Sequence, residues 1–208
     1  MPQSHEDQSH EDQSREGRAP GGFRKVGEQE LFRGSLIQVA NATFEDPAGR
    51  RFERDVVHHP GAVVVVPVTA SRTIVMVRQF RAAIGQELLE LPAGKRDVDG
   101  EDPETTAARE LAEEVGKEAA KLELLARFYN SPGFTDELSW LYLATDLQEV
   151  PDARQGFEEQ QMSVEEVPLD SAPELIRSGK IMDAKSIIGL SLAAISLGRS
   201  AIGVRRQA

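Results

Sequence analysis

The sequence contains no cysteine and is poor in aromatic residues, with Trp 1, Tyr 2 and Phe 8 among 208 residues. Without cysteine, disulfide bonds, thiolate metal sites and cysteine nucleophiles are excluded. Basic residues are outnumbered, with Lys+Arg 24 against Asp+Glu 35, and the net charge of -11 argues against nucleic acid as a partner, because binding to phosphates depends on a basic surface. No apolar run is long enough for a membrane span or a signal peptide. We therefore expect a cytoplasmic protein that binds neither nucleic acid nor membranes.

The clearest local pattern is that of a short helix. Asp102 is a suitable N-cap, Pro103 suits the first helical position, and Gly116 is a typical stop. The pattern therefore predicts a helix from Pro103 to Val115. Apolar residues should form the buried stripe of this helix, and we assign Ala108, Leu111, Ala112 and Val115 to it.

Three glutamates of the predicted helix should project together from its other face. Glu110, Glu113 and Glu114 are spaced i, i+3 and i+4. Such a face is often just a solvated surface in an acidic protein. Like charges at this spacing destabilise a helix, however, and near its C-terminus they also oppose the helix dipole. A bound Mg²⁺ or Mn²⁺ would remove both penalties, because hard cations take carboxylate oxygens as ligands.

The rest of the chain predicts one α/β domain with an N-terminal extension. Residues 1–22 carry SHEDQ twice in tandem and read as a disordered tail without an assigned role. We expect an N-terminal β subdomain at 23–60, an α/β/α sandwich with a mixed sheet at 61–198, and a C-terminal tail at 199–208. The predicted strands are 35–44, 51–57, 62–68, 73–80, 87–91, 122–129, 138–144 and 163–169; helices follow at 171–178 and 183–197, and a long loop at 148–161.

The helix and its approach resemble the signature of the Nudix hydrolases, G-x5-E-x7-R-E-U-x-E-E-x-G-U, where U is apolar. This sequence supplies Glu101 and then the run from Arg109 to Gly116, RELAEEVG. It departs from the pattern twice, because Gly94 lies one residue too far from Glu101 and because Lys117 takes the closing apolar position. The resemblance covers about residues 62–197 and implies the Nudix fold, which is an α/β/α sandwich.

The resemblance also implies roles for the residues of this signature. Glu110 and Glu114 would be the primary ligands of Mg²⁺ or Mn²⁺, with Glu113 shared or acting through water. The backbone carbonyl of Ala93 would be a further ligand. Glu101 would pair with Arg109 and brace the loop rather than bind metal.

Other segments resemble the ADP-ribose pyrophosphatase branch of the family. They are the stretches around Arg54 and Arg81, the loop with Pro132 and Phe134, and the opening Asp183-Ala-Lys185 of the last helix. The resemblance implies that Arg54 and Arg81 contact substrate, with Arg54 acting from the partner subunit of a homodimer. Arg78 is a third candidate for the substrate clamp, because guanidinium binds phosphate oxygens in pairs. Pro132 and Phe134 are further candidates for substrate binding.

The implied reaction is hydrolysis of ADP-ribose to AMP and ribose 5-phosphate. Alternatives are another nucleoside diphosphate sugar such as GDP-mannose, or a nucleotide sensor that does not hydrolyse its ligand. Ungapped matching from Pro132 suggests Glu159 in the 148–161 loop as general base, with Glu158 beside it. Glu113, or hydroxide on the metal, remains the alternative source of the base.

Overall fold

The computed structural model describes residues 21–151, 153–154 and 159–198. The SHEDQ repeat, Glu158 and the predicted tail at 199–208 lie outside the described residues. The chain divides into two compact units, the first comprising Met1–His59 with Ser131–Asp136 and the second comprising Pro60–Asn130 with Glu137–Ala208. In the described part of the chain, no helix combines the length and the apolar character needed to cross a bilayer.

The first unit is a three-stranded antiparallel sheet in the order β1-β2-β3. Its strands are β1 (Arg24–Arg33), β2 (Gln38–Glu45) and β3 (Arg51–His58). Only two strands are predicted from the sequence, and β1 is missed. A strand with one apolar face would alternate, but most of β1 is exposed and its residues do not alternate.

The segment Ser131–Asp136 belongs to this first unit, although the sequence places it within the 61–198 domain. Backbone hydrogen bonds on both sides of Val57 account for the difference. The Val57 amide donates to the Phe134 carbonyl at 2.7 Å, and the Asp136 amide donates to the Val57 carbonyl at 3.2 Å. Such long-range pairing leaves no periodic signal in a single sequence.

The second unit contains the remaining strands and the helices. They are β4 (Ala62–Pro67), β5 (Thr73–Arg81), β6 (Gln86–Glu90), β7 (Ala93–Lys95), α1 (Pro103–Val115), β8 (Lys117–Tyr129), β9 (Leu138–Glu149), β10 (Ser163–Pro168), α2 (Ala172–Arg177) and α3 (Ala184–Ser196). The bounds of α1 agree with the prediction. Strand β7 is not predicted, and β8 starts at Lys117 rather than at 122. The sequence also begins the long loop too early, because β9 runs to Glu149.

These strands form two sheets rather than one. One has the order β10-β5-β6 and is antiparallel, and the other has the order β7-β4-β9-β8. The second sheet is mixed, since β4 pairs in parallel with β9 while the other two pairs are antiparallel.

Strand β4 is covered on both faces, as its unbroken apolar run predicts. Val64 and Val66 belong to a core that includes Leu190 and Ala193 of α3. Val63 and Val65 belong to a second core, which contains the α1 residues Ala107, Leu111 and Val115. Helices therefore pack on opposite faces of the β4 sheet, and the predicted α/β/α sandwich is confirmed.

Candidate active site

Helix α1 is fixed at both ends by the residues that predict it. The Asp102 side chain accepts hydrogen bonds from the amides of Glu104 at 3.0 Å and Thr105 at 3.1 Å. Gly116 ends the helix in the left-handed conformation, with φ 64°, where glycine has no steric penalty. The predicted buried stripe is partly wrong, because Ala108 is exposed and Ala107 is buried in its place.

The predicted acidic face is not uniformly exposed, because Glu114 is buried with 5% of its surface accessible. Its carboxylate accepts a hydrogen bond from the Ala93 amide at 3.1 Å. Burial and, to a smaller extent, the negative charges of Glu110 and Glu159 together raise the pKa of Glu114 to about 8. The helix therefore presents a desolvated carboxylate to Ala93, the first residue of β7.

Glu110 packs against Gly94, the next residue of β7. A Cβ placed on Gly94 would overlap the Glu110 side chain, so a glycine is required at this close approach. Burial raises the pKa of Glu110 to about 7, although the attraction of Arg109 opposes this shift. Repulsion from Glu113 and Glu159 also raises the pKa of Glu110. Gly94 therefore retains a packing role although its spacing from Glu101 departs from the family signature.

Arg109 is the cation that balances this side of the helix. It pairs with Glu110 at 2.9 Å and with Glu113 at 3.1 Å. It also pairs with Glu101 at 3.3 Å, which is the pairing expected from the sequence. The loop that carries Glu101 is thereby tied to the helix that carries the other carboxylates.

The carboxylates of Glu110, Glu113 and Glu114 are ligands that a divalent cation accepts, but their oxygens do not converge on one point. Within the described ranges, no group of three His, Cys, Asp or Glu side chains converges closely enough to hold an ion. The negative charge of Glu110 nevertheless raises the cost of ionising the buried Glu114. A divalent cation would offset that cost, and carboxylate oxygens are the ligands such a cation prefers.

Arg81 lies within electrostatic reach of this group, because its positive charge lowers the pKa of Glu114. It forms a bidentate ion pair with the buried Glu90, from Nε at 2.8 Å and from Nη2 at 2.6 Å. Lys185 also pairs with Glu90 and, at 2.9 Å, with Asp183. The sequence reasoning missed Glu90, although a glutamate between the leucines of the predicted strand 87–91 is a usable signal.

Arg78 pairs with a different glutamate, which lies on β10. It bonds Glu165 across the β5–β10 pair, from Nε at 2.5 Å and from Nη2 at 3.3 Å. The remaining substrate candidates, Arg54, Pro132 and Phe134, belong to the first unit. There the Arg54 guanidinium lies 4.9 Å from the centre of the Phe52 ring, and Phe134 is 57% exposed.

Glu159 opens a short 3-10 turn, Glu159–Gln161, and its charge acts on both Glu110 and Glu114. The candidate base and the candidate ligands therefore lie in one electrostatic cluster. Arg154, which the sequence reasoning missed, ties the loop down. Its Nε donates to the Glu114 carbonyl and its Nη1 to the Met162 carbonyl, both at 2.9 Å. An arginine within an otherwise acidic loop was the available signal.

Several known proteins resemble this chain in sequence over most of its length. The chain is 40% identical over 163 residues to an ADP-ribose pyrophosphatase of Bacillus subtilis, covering 78% of this chain and 88% of that protein. It is 37% identical over 167 residues to a methanol dehydrogenase activator of Bacillus methanolicus, covering 80% of this chain and 90% of that protein. It is also 37% identical over 177 residues to an ADP-ribose pyrophosphatase of Mycobacterium tuberculosis, covering 85% and 86%.

A solved structure described as that of an ADP compounds hydrolase shares the fold, with a TM-score of 0.73 and 23% identity, covering 85% of this chain and 96% of that chain. Residues 58–184 match the family profile of the NUDIX domain. The matched range contains α1, β7 and the carboxylates of Glu110 and Glu114. The chain therefore belongs to the Nudix family and is a Nudix hydrolase.

Proposed function

We propose that this enzyme hydrolyses the diphosphate bond of ADP-ribose to give AMP and ribose 5-phosphate, in a reaction that requires Mg²⁺ or Mn²⁺. The observation that carries the reaction class is the placement of the buried Glu114 and the half-buried Glu110 side by side against Ala93 and Gly94 of β7, an arrangement of carboxylates that a divalent cation would stabilise. The choice of ADP-ribose rests on the two relatives of that activity, which match most of this chain.

The proposed ligands are Glu110 and Glu114, with Glu113 assisting and the Ala93 carbonyl as a backbone ligand. Bound there, the cation would neutralise charge on the diphosphate and lower the pKa of the attacking water. Gly94 leaves room for this arrangement, since any side chain at that position would displace Glu110. Glu101 supports the set through Arg109.

Arginines would hold the substrate phosphates. Glu90 occupies Nε and Nη2 of Arg81, so we assign Nη1 to a phosphate oxygen. Arg54 of the partner subunit keeps the substrate-binding role that the family resemblance implies, and Arg78, Pro132 and Phe134 remain further candidates for substrate binding. Of these, Arg78 would have to share its guanidinium with Glu165.

Glu159 is our candidate for the general base. It would take a proton from the water as the water oxygen attacks phosphorus, while the bond from phosphorus to the bridging oxygen breaks. The electron pair of that bond leaves on the bridging oxygen of the departing phosphate. The position of Glu159 in the charge cluster of Glu110 and Glu114 supports this role.

The test is release of the nucleoside monophosphate from a panel containing ADP-ribose, GDP-mannose, dinucleotides and deoxynucleotides, with Mg²⁺, with Mn²⁺ and with EDTA. We expect ADP-ribose to have the highest kcat/KM and EDTA to abolish turnover. Glu114→Gln should remove activity, whereas Glu118→Gln, which changes an exposed carboxylate just beyond the helix, should not.

Three results would each contradict a part of the proposal. Turnover by Glu114→Gln within a few fold of the unmodified enzyme would remove the metal assignment. Stoichiometric binding of ADP-ribose in calorimetry without AMP release would instead favour a sensor. Faster cleavage of GDP-mannose would keep the chemistry and change the substrate.

A further inference from the structure

A cavity of about 450 Å³ lies in the second unit and shares no lining residue with the candidate active site. Its wall includes Val68 and Arg72 from the β4–β5 connection, Lys117 at the start of β8, and Asp146, Leu147 and Glu149 near the end of β9. Its volume is in the range of small-molecule sites. The wall combines aliphatic surface with charged groups of both signs.

Two residues of this wall have strained backbones. Arg72 has φ 64° and Asp146 has φ 56°, and in the described part of the chain they are the non-glycine residues with positive φ. This left-handed conformation is unfavourable for residues with a side chain, and such strain is concentrated at functional sites. The Arg72 backbone is held there by hydrogen bonds, from its amide to the Thr69 carbonyl at 2.9 Å and from the Leu169 amide to its carbonyl at 3.0 Å.

The Arg72 guanidinium has an empty hydrogen-bonding edge. Its Nε and Nη2 are shielded from solvent, and within the described residues neither has a hydrogen-bond partner. Arg78 and Arg81 use this same pair of nitrogens to bind Glu165 and Glu90. Leaving such donors buried and unpaired costs free energy, and a carboxylate or phosphate would satisfy both at once.

The other charges of the wall restrict the ligand further. Lys117 already pairs with Glu149, so these two side chains neutralise each other. Asp146 offers acceptor oxygens and would repel a simple anion. A ligand suited to both Arg72 and Asp146 carries an oxyanion together with a hydroxyl or ammonium group.

We propose that this cavity is a second binding site, separate from the active site and independent of the reaction proposed above, for a small hydroxylated or amino compound that bears a carboxylate or phosphate. Its anionic group binds the Nε and Nη2 edge of Arg72, the side chain turning toward the cavity as it binds. The donor group of the ligand binds Asp146, and its carbon skeleton lies against Val68 and Leu147.

Glycerol 3-phosphate and glycerate are matched probes, because they place the two kinds of oxyanion on similar hydroxylated skeletons. Glycerol is the control without an anion. Thermal unfolding of the full-length protein, in EDTA and at constant ionic strength, is followed as each probe is titrated. We expect one of the two anions to raise the unfolding temperature saturably, and the identity of that anion decides between phosphate and carboxylate.

Arg72→Gly is the decisive variant. Glycine accepts φ 64° without strain, so this variant should be at least as stable as the parent without ligand. The affinity of this variant for the effective probe should fall about tenfold or more, as expected for loss of a charged bidentate hydrogen bond. Arg72→Lys keeps the positive charge but removes the pair of donors Nε and Nη2, so it should also bind the probe more weakly. Arg127→Ala, an exposed arginine on β8, is the matched control.

A saturable response that is equal in Arg72→Gly and the parent would place the binding elsewhere and overturn the assignment. Full binding by Arg72→Lys would remove the edge of Arg72 as the recognition element. The absence of any saturable response to both anions in the parent protein would remove the site for this class of ligand.

Discussion

Glu114 carries a conflict between folding and function within one side chain. The folded protein buries this carboxylate, and the rise of its pKa to about 8 means that ionisation at neutral pH opposes folding. The unfolded chain ionises the same group near the ordinary value of 4.5. Without a cation, this residue therefore lowers stability progressively as pH rises between those two values.

We predict that Glu114→Gln stabilises the cation-free protein, because the amide keeps the acceptor for the Ala93 amide without the buried charge. The gain in unfolding temperature over the parent, measured in EDTA, should be small at pH 5 and largest near pH 8. Saturating Mg²⁺ should stabilise the parent and not the variant. A gain that does not change with pH would show that ionisation of Glu114 is not its cause.

His58 joins two parts of the first unit through its imidazole. Its Nδ1 lies 2.5 Å from Asp136 and its Nε2 lies 2.9 Å from Glu28 of β1. Hydrogen bonds to Asp136 and Glu28 raise the pKa of His58 above its ordinary value. The other groups that face this pair of carboxylates are Lys25, which binds Glu28 at 2.6 Å, and the His59 amide, which binds Asp136.

The resulting prediction concerns the pH dependence of stability. Because the folded pKa of His58 is raised, its contribution should be complete below about pH 6.5, the ordinary value, and lost as pH rises through the folded value. His58→Gln should therefore lower the unfolding temperature at pH 6 and have a smaller effect at pH 8.5. His59→Gln is the comparison variant. An equal loss at both pH values for His58→Gln would contradict the prediction.

At the scale of elements, α1 is the part that local sequence determines most fully. Asp102, Pro103 and Gly116 act within one turn of the helix ends, so their effects can be read without tertiary contacts. Periodicity could not reveal that Glu114 is buried, because strand β7, which Glu114 contacts, comes from outside the helix. Strand β1 was missed for a related reason, since its pairing with β2 rather than an apolar face defines it.

The loop after β9 shows the same division between local and distant causes. Ungapped matching from Pro132 points to Glu159 in this acidic loop, but the anchors that place the loop are backbone groups of α1. Ala153 donates its amide to the Glu113 carbonyl at 3.2 Å, and Arg154 reaches the Glu114 carbonyl. These contacts fix the loop on the last turn of the helix that carries the proposed ligands.

We predict that Glu159→Gln lowers kcat by about 10²-fold or more with little change in KM, the usual scale for loss of a general base. Glu158→Gln is the matched neighbour, and a larger loss there would move the role back by one residue. No effect from either variant would return the base to Glu113 or to hydroxide on the metal.

Arg154→Ala should lower kcat by about tenfold or more, because a loop displaced by an ångström misplaces the base. The sharper measurement is the double variant Arg154→Ala with Glu159→Gln. If Arg154 acts by positioning Glu159, the second change should add little to the first. Additive losses in kcat would instead give Arg154 a separate role, and Arg177→Ala, in an exposed pair with Glu174, controls for loss of an arginine.

At the scale of the whole molecule, we expect a homodimer built through the first unit. A three-stranded sheet has little core of its own, and several of its apolar side chains are exposed. They include Phe23 at 44%, Leu31 at 56% and Phe32 at 58%. A second copy of the chain that covers them would also supply the partner-borne Arg54 that the proposed substrate clamp requires.

Sedimentation velocity at micromolar concentration should therefore give a dimer. Phe32→Asp should shift the protein toward monomer and lower activity with it, because the partner arginine is lost. Val98→Asp changes an apolar side chain of similar exposure in the second unit and should do neither. A fully active monomer would contradict both the dimer and the partner-borne role of Arg54.

The parallel pairing of β4 with β9 has a consequence for how the chain acquires its structure during synthesis. Residues 62–67 pair with residues 139–144, so the centre of the mixed sheet cannot close until β9 has left the ribosome. Strands β1 to β3 pair with their neighbours in sequence and can associate earlier. The apolar face of β4 must wait uncovered in the meantime, which makes the nascent chain most prone to aggregation while α1 and β8 are being translated.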